Sequence, residues 1–339
     1  MQALRKTLPK IPYVDLRGYS PLELLYLFRK EAHLLADGAL SLVGKGPGHL
    51  IASLTDAASR RWLAKANNPY LEEIGLIASA LRRPGAYVLN TCVEWGCTSG
   101  AWATSSGPLL RRVLDWPFPR LGEFPVVAQF RHQAGDYFSV TWPGFSGVLQ
   151  AMAPERFAAA LNQAPRRKHA GGFAGAWISG RVKTASTRAL PPVHLLRRVF
   201  ESAKDFLSAK SLLMMSPLAV PAIFTLSGTR PGEGCVIERT EDAYAVREMD
   251  EGRVCAANSF ETRLKESELG WKARPIDSAG RLSKAMLLEG GENNLSWFEA
   301  PIANVNSRLV MIANAATGML KVMGTAGTTP VTEVFVHPA

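Results

Sequence analysis

The hydrophobic period of this 339-residue chain changes once, near Pro84, and that switch limits the folds open to it. Before it, apolar residues recur at helical spacing. SPLELLYLFRKEAHLLADGALSLV (20–43) places Ser20 as N-cap and Pro21 at the first helical position, with Leu24, Leu27, Phe28 and Leu35 on one face. GKGPG (44–48) breaks the pattern. NNPYLEEIGLIASALRR (67–83) reads as a second helix, opened by Asn68-Pro69. Its Glu72 and Glu73 lie near the start and its Arg82 and Arg83 at the end, the order the helix dipole favours.

After Pro84 the period is two. AYVLNT (86–91) and CTSGAWATS (97–105) read as strands, and PVVAQFRH (125–132) and DYFSVTW (136–142) as a hairpin turning at Gln133-Ala134-Gly135. GVLQAMA (147–153) and RFAAALNQ (156–163) turn at Pro154-Glu155. A helix is expected through SAKDFLSAKSLLMM (202–215). A second β block runs through AIFTLS (222–227), CVIERT (235–240), AYAVREM (243–249) and RVCAANS (253–259). Another helix follows at DSAGRLSKAMLLEG (277–290), then a hairpin at RLVMIANAATGMLKVMG (308–324). Strands in such close succession pair antiparallel, because parallel strands need long crossovers. Two antiparallel blocks separated by helices give an α+β layering of stacked sheets flanked by helices.

The chain carries 39 Lys and Arg against 29 Asp and Glu, a formal charge of +10. That balance favours anionic partners, but no nucleic-acid motif accompanies it and none is expected to bind. RRKHAGGFAGAWISGRVKTASTRALPPVHLLRR (166–198) holds eight of the basic residues and no acid. It reads as a solvated loop running into a helix, or as a mobile flap over a site that receives anionic or lipid-like substrates, and peripheral contact with anionic lipid is open. The four cysteines, Cys92, Cys97, Cys235 and Cys255, form no CxxC pair. MQALRKTLPKIPYVD lacks an apolar run behind its basic residues, so a reducing, cytoplasmic setting is the expectation. The oligomeric state is open, a homo-oligomer included.

No Walker A loop, GxGxxG, HExxH or GxSxG is present, and no histidine has ligand spacing with another His or a Cys. No cofactor or metal is therefore expected. What remains is Cys97, in GCTSGAW, followed by Arg112 and Asp115 in RRVLDWPF. A thiol attacks as thiolate and needs a base or a lowered pKa. Cleavage of the Gly96–Cys97 bond would make Cys97 N-terminal and give it its own α-amine, with a pKa of about 7.7–8.0, as base. A glycine before the cysteine leaves room for the thiol to approach the preceding carbonyl.

GCTSGAW…RRVLDWPF resembles the N-terminal-nucleophile cysteine hydrolases, a superfamily of ceramidases, N-acylethanolamine amidases, penicillin V acylases, bile salt hydrolases and isopenicillin-N acyltransferases. WPGFSGVLQAMAP (142–154), AALNQAP (159–165), GTRPGEGCVIERT (228–240), CAANSFET (255–262) and DSAGR (277–281) match further pieces in order. In one departure, Arg111-Arg112-Val113-Leu114-Asp115 stands where the superfamily often has Gly-Arg-Asn-Leu-Asp. The resemblance implies a four-layer αββα sandwich of two stacked antiparallel sheets flanked by helices. It also implies a helical segment 1–96, retained as an α-subunit after self-cleavage, and a catalytic domain 97–339. By the same resemblance Cys97 is the nucleophile and Arg112 orients the thiolate or pairs with Asp115. Asp115 holds the α-amine, Asn162 and Asn258 polarise the carbonyl or hold the oxyanion, and Arg281 supports the site by charge. Trp116, Phe118, Trp142 and Phe145 would line an acyl pocket. The implied activity is hydrolysis of a linear N-acyl amide through a thioester. Alternatives are acyl transfer to an amine, or a non-catalytic lipid- or anion-binding relative.

Overall fold

The computed structural model describes residues 7–42, 47–91, 96–167, 187–266, 270–272, 277–289 and 294–337. Its strands are β1 (Tyr13–Asp15), β2 (Gly96–Trp102), β3 (Leu109–Asp115), β4 (Val126–His132), β5 (Gly135–Thr141), β6 (Gln150–Ala153), β7 (Phe157–Gln163), β8 (Arg166–Arg167) and β9 (Ala222–Ser227). They continue with β10 (Gly234–Arg239), β11 (Tyr244–Glu248), β12 (Arg253–Ala256), β13 (Trp271–Lys272), β14 (Ser307–Asn314), β15 (Met319–Ala326), β16 (Thr329–Pro330) and β17 (Phe335–His337). Helices are α1 (Leu22–Leu27), α2 (Arg29–Ser41), α3 (Pro47–Lys65), α4 (Leu71–Leu81), α5 (Ala86–Leu89), α6 (Pro192–Ser202), α7 (Phe206–Met215) and α8 (Ser278–Met286).

One sheet runs in the order β1-β4-β5-β6-β7-β9-β10-β11, the other β12-β2-β3-β14-β15 with β16 and β17 both on β15. The pairing is antiparallel as expected, except that β1 runs parallel to β4 at the edge. The sheets stack face to face through β2, β3 and β14 against β7 and β9. Between them lie Cys97, Leu110, Leu114 and Met311 of the second sheet and Ala158, Ala160 and Thr225 of the first, all buried. Helices α6 and α7 cover the outer face of the first sheet, and α8 lies on β2 and β12 of the second. The layering is αββα.

Local chemistry explains the helix ends. Asp205 accepts from the Ser208 amide and Ser208 Oγ from the Asp205 amide, a capping box that starts α7 four residues later than the sequence pattern places it. Asp277 caps α8 through the Gly280 amide. The single helix expected over 20–43 is broken at Phe28, whose φ of −122° and ψ of 46° leave the helical region. Ser20 Oγ still accepts the Leu22 N–H. Of GKGPG, residues 44–46 lie outside the described residues and Pro47 opens α3.

The largest departure is 86–91, read as a strand and found as the helical turn α5. The carboxylate of Asp56, on α3, accepts the Gly85 N–H at 2.7 Å and the Val88 N–H at 2.9 Å. A carboxylate thirty residues away thus supplies the cap that favours a helix over an edge strand. Most of the basic stretch 166–198, residues 168–186, lies outside the described residues, as does Cys92.

The N-terminal helices pack together through Leu25, Ala32, Ala36, Ile77, Leu81 and Ala86. A polar clamp joins them to α6. Arg197 donates to Glu73 of α4 at 2.7 Å, to Glu201 at 2.8 Å and to the Ser146 carbonyl at 2.7 Å, with its guanidinium 4.0 Å from the centre of the Tyr70 ring. Tyr70 Oη donates to Glu201 at 2.7 Å. Burial works against the Arg197 charge, but Glu73, Tyr137 and Glu201 outweigh it and hold the guanidinium above its usual range. Beside the clamp, buried His194 meets the Asn68 side chain through Nδ1 at 2.8 Å.

Burial, reinforced by Arg197, drives His194 down to about 3 from 6.5. The unfolded chain therefore takes up a proton before the folded one as pH falls below 6.5. This contribution to stability is full above that value and is lost towards pH 3, at about 1.4 kcal/mol per unit. His194→Asn keeps an acceptor at the Nδ1 position for Asn68 and removes the titration. Urea unfolding across that range should show a shallower acid decline in this variant than in the wild type.

Candidate active site

The β2–β3 register decides which side chains meet. Cys97 pairs with Leu114, Ser99 with Arg112 and Gly96 with Asp115. Side chains alternate along a strand, so Cys97, Ser99 and Arg112 face the opposing sheet, while Thr98 and Asp115 face α8. Small residues make the pairing possible. A Cβ on Gly100 would lie 2.7 Å from Cys255 Sγ and 2.8 Å from the Val254 carbonyl, so only glycine lets β12 close on β2 here.

On the inner side, Arg112 Nη2 donates to Cys97 Sγ at 3.1 Å. Its Nη1 donates to the Leu161 carbonyl at 2.8 Å and to Asn162 Oδ1 at 3.0 Å. On the outer side, Arg281 of α8 donates to the Cys97 carbonyl, to Thr98 Oγ1 at 2.8 Å, to Asn258 Oδ1 at 2.8 Å and to Asp115 Oδ2 at 3.4 Å. Asn258 Oδ1 also accepts the Cys97 backbone N–H at 2.9 Å. Asp115 is completed by Ser307 Oγ at 2.7 Å. Cys97, Arg112, Asp115, Asn162, Asn258 and Arg281 are all fully buried.

The six residues named from sequence thus form one cluster, and of the two roles open to Arg112 it takes the one on the Cys97 sulfur. Arg112 does not pair with Asp115; three residues apart on a strand, they point to opposite faces. Asp115 pairs with Arg281 instead. The contact on the Cys97 backbone nitrogen is Asn258, not Asp115. The two asparagine amides differ. Asn162 Nδ2 spends both hydrogens on the Ala256 and Ala257 carbonyls, while Asn258 Nδ2 donates one to the Gln163 carbonyl. In this state Asn162 has no amide hydrogen left for an oxyanion, whereas Asn258 keeps one.

Two guanidiniums face one carboxylate in this buried volume. Loss of the Cys97 proton would balance their charge. Burial pushes the Cys97 thiol up, and the Arg112 and Arg281 charges pull it back towards the thiolate. Burial likewise raises Asp115, against the pull of Arg281, Ser307 and Asn304.

Trp116, Trp142 and Phe145 line one apolar cavity of about 50 Å³, together with Phe118 and with Leu35 and Leu89 of the N-terminal helices. Trp142 Nε1 is satisfied by the Leu121 carbonyl at 2.8 Å. Cys97 does not line this cavity, but Leu114 and Trp116 belong to the same packed cluster as Cys97.

The chain is similar in sequence to known amide-hydrolysing proteins. The acid ceramidase of Heterocephalus glaber is 28% identical over 227 residues, 60% of this chain and 56% of that protein. The acid ceramidase of Balaenoptera acutorostrata scammoni is 37% identical over 215 residues, 57% and 53% of the two. The N-acylethanolamine-hydrolyzing acid amidase of Cavia porcellus is 26% identical over 264 residues, 74% and 71%. Its homologues are acid ceramidases and N-acylethanolamine-hydrolyzing acid amidases, members of the N-terminal-nucleophile cysteine hydrolase superfamily. It spans about half the length of the acid ceramidases it matches. No protein-family model matches it. Among solved structures, the Caenorhabditis elegans N-acylethanolamine-hydrolyzing acid amidase ortholog shares the fold at a TM-score of 0.50 and 15% identity, covering 71% of this chain and all of that one.

Several site residues carried no role in the sequence reading. Ser99 could have been found, since it stands two residues after Cys97 on a strand and so shares its face. Ser278, whose Oγ accepts the Asn258 N–H at 2.8 Å, stood in the matched DSAGR piece. Thr225 and Ser307 gave no local signal, because distant strands bring them to the site.

Asp115→Ala should destabilise the fold by about 3–5 kcal/mol in urea unfolding, because it strands the buried Arg281 charge. Adding Arg281→Ala should recover part of that loss, and a strictly additive double variant would show the pair to be uncoupled.

Proposed function

We propose that this protein is a self-processing cysteine amidase that hydrolyses a linear N-acyl amide. The observation that carries the reading is the buried Cys97 thiol at the start of β2, with Arg112 on its sulfur and Asn258 on its backbone nitrogen. The homology to ceramidases and to N-acylethanolamine-hydrolyzing amidases supports an N-acyl amide as substrate class.

In the processing step the Cys97 sulfur attacks the Gly96 carbonyl carbon. The Gly96–Cys97 C–N bond breaks, its nitrogen takes the thiol proton, and a thioester links Gly96 to Sγ. Water cleaves that thioester, leaving a Gly96 carboxylate and a Cys97 with free thiol and free α-amine. In turnover the α-amine collects the thiol proton, and the thiolate attacks the substrate carbonyl. The leaving amine departs with that proton, and water releases the acyl group from sulfur. Asn258 Oδ1 is placed to accept from the amine, and Arg281, braced by Asp115, holds the Cys97 carbonyl and fixes the N-terminus. Trp116, Trp142 and Phe145 offer an apolar wall for the acyl chain. The 1–96 segment stays attached after the cut, held by its apolar helix faces and by the Glu73–Arg197 clamp.

Denaturing intact mass of the purified protein, incubated from acidic to neutral pH, tests the reading. Two fragments divided between Gly96 and Cys97, with Cys97→Ala uncut, are the expected result. A single full-length mass at every pH would overturn it. Native mass of the cut protein should still show both fragments together, and Glu73→Ala should loosen them.

A further inference from the structure

Asn162 forms more hydrogen bonds than any other uncharged side chain in the site. Its Oδ1 accepts from Arg112 Nη1 at 3.0 Å and from Ser99 Oγ at 3.0 Å. Both hydrogens of its Nδ2 go to backbone carbonyls, Ala256 and Ala257, each at 3.1 Å. The amide is saturated, and its orientation is fixed because the arginine can only donate. It ties together β7, which carries it, β3 through Arg112, β2 through Ser99 and the end of β12.

The hydroxyl protons can be placed by elimination. Asn162 Oδ1 bears no hydrogen, so Ser99 donates to it. Ser99 Oγ and Thr225 Oγ1 are 2.7 Å apart. With the Ser99 proton spent on Asn162, the Thr225 hydroxyl donates to Ser99. The chain is therefore directional: Thr225 to Ser99 to Asn162 Oδ1, where the Arg112 guanidinium also lands before reaching Cys97 Sγ. Ser99, Thr225, Asn162 and Arg112 are all buried, so water does not substitute for a lost member.

We infer that Thr225 and Ser99 are positioning residues: a two-hydroxyl relay from the opposing sheet that holds Asn162, and through it seats the Arg112 guanidinium on the Cys97 sulfur. Asn162 on this account is the hub of that seating and not an oxyanion donor. The inference deepens the amidase reading and rests on Cys97 as its nucleophile. The relay itself can be tested whether or not the chain cuts itself.

The experiment uses full-length protein labelled with 13C at the cysteine β-carbon, with the Cys97 signal assigned by its loss in Cys97→Ser. Its titration midpoint is compared in the wild type, Ser99→Ala, Thr225→Val and Thr225→Ser. Loosening the guanidinium weakens its pull on the thiolate, so the midpoint should rise by at least about half a pH unit in Ser99→Ala and Thr225→Val. Thr225→Ser keeps the hydroxyl and should titrate as the wild type does. Coincident midpoints in all four, even with a lowered Tm in the first two, would reduce the hydroxyls to packing and overturn the inference. Self-cleavage is followed on the same samples by intact mass. A wild type that never cuts while the midpoints move sinks the amidase reading and leaves the relay standing.

Discussion

The pairing of β2 with β3 is the constraint on which the site depends. Its register puts Ser99 opposite Arg112 and Gly96 opposite Asp115. Strand alternation then sorts the chemistry into two faces. The sulfur and its arginine look inwards, towards Asn162 and Thr225 of the other sheet. The Cys97 carbonyl, Thr98 and Asp115 meet Arg281 from the outer helix layer. A one-residue slip would exchange the faces and place Asp115 against the apolar inter-sheet core. The same strand therefore serves as wall, nucleophile carrier and boundary between two charged clusters.

Those clusters explain how so many charges remain inside. Arg112 and Arg281 are fully buried, and neither depends on a single partner. Arg281 bonds two backbone carbonyls, Thr98, Asn258 and Asp115. Arg112 bonds a carbonyl, Asn162 and the sulfur. Desolvating a guanidinium is tolerable only when most of its fork is occupied. Burial works against the charged forms of both Asp115 and the thiol, and ionisation of the thiol is what would neutralise the second guanidinium.

The N-terminal helices contribute to the wall of the aromatic cavity and are tied to the rest by a second buried network. Glu73 and Tyr70 of that segment meet Arg197 and Glu201 of α6, while Asn90 accepts from the Ser146 amide at 2.6 Å. These contacts lie on both sides of the Gly96–Cys97 bond in sequence. Packing and ion pairs, rather than the peptide bond alone, join the two parts.

Much of this was legible in the chain before any folding was considered. Period-two alternation marked most strands from 97 onwards and turn residues such as Gln133-Ala134-Gly135 set the hairpins, local properties carried by neighbours a few residues apart. The six clustered residues were named by the resemblance of ordered motifs to the N-terminal-nucleophile cysteine hydrolases. The sequence alone did not reveal the cap that Asp56 provides for α5, which turned an apparent strand at 86–91 into a helix. Nor did it show that Arg112 and Asp115 would take different partners, that the Asn162 amide would be committed to two carbonyls, or that Thr225 would reach Ser99. Each of these depends on which distant strand or helix supplies the next hydrogen-bonding group. The sequence by itself determined the strand pattern and the residue types of the site; only the tertiary structure decided their partners, because a buried polar group is satisfied by whatever the fold brings within about 3 Å of it.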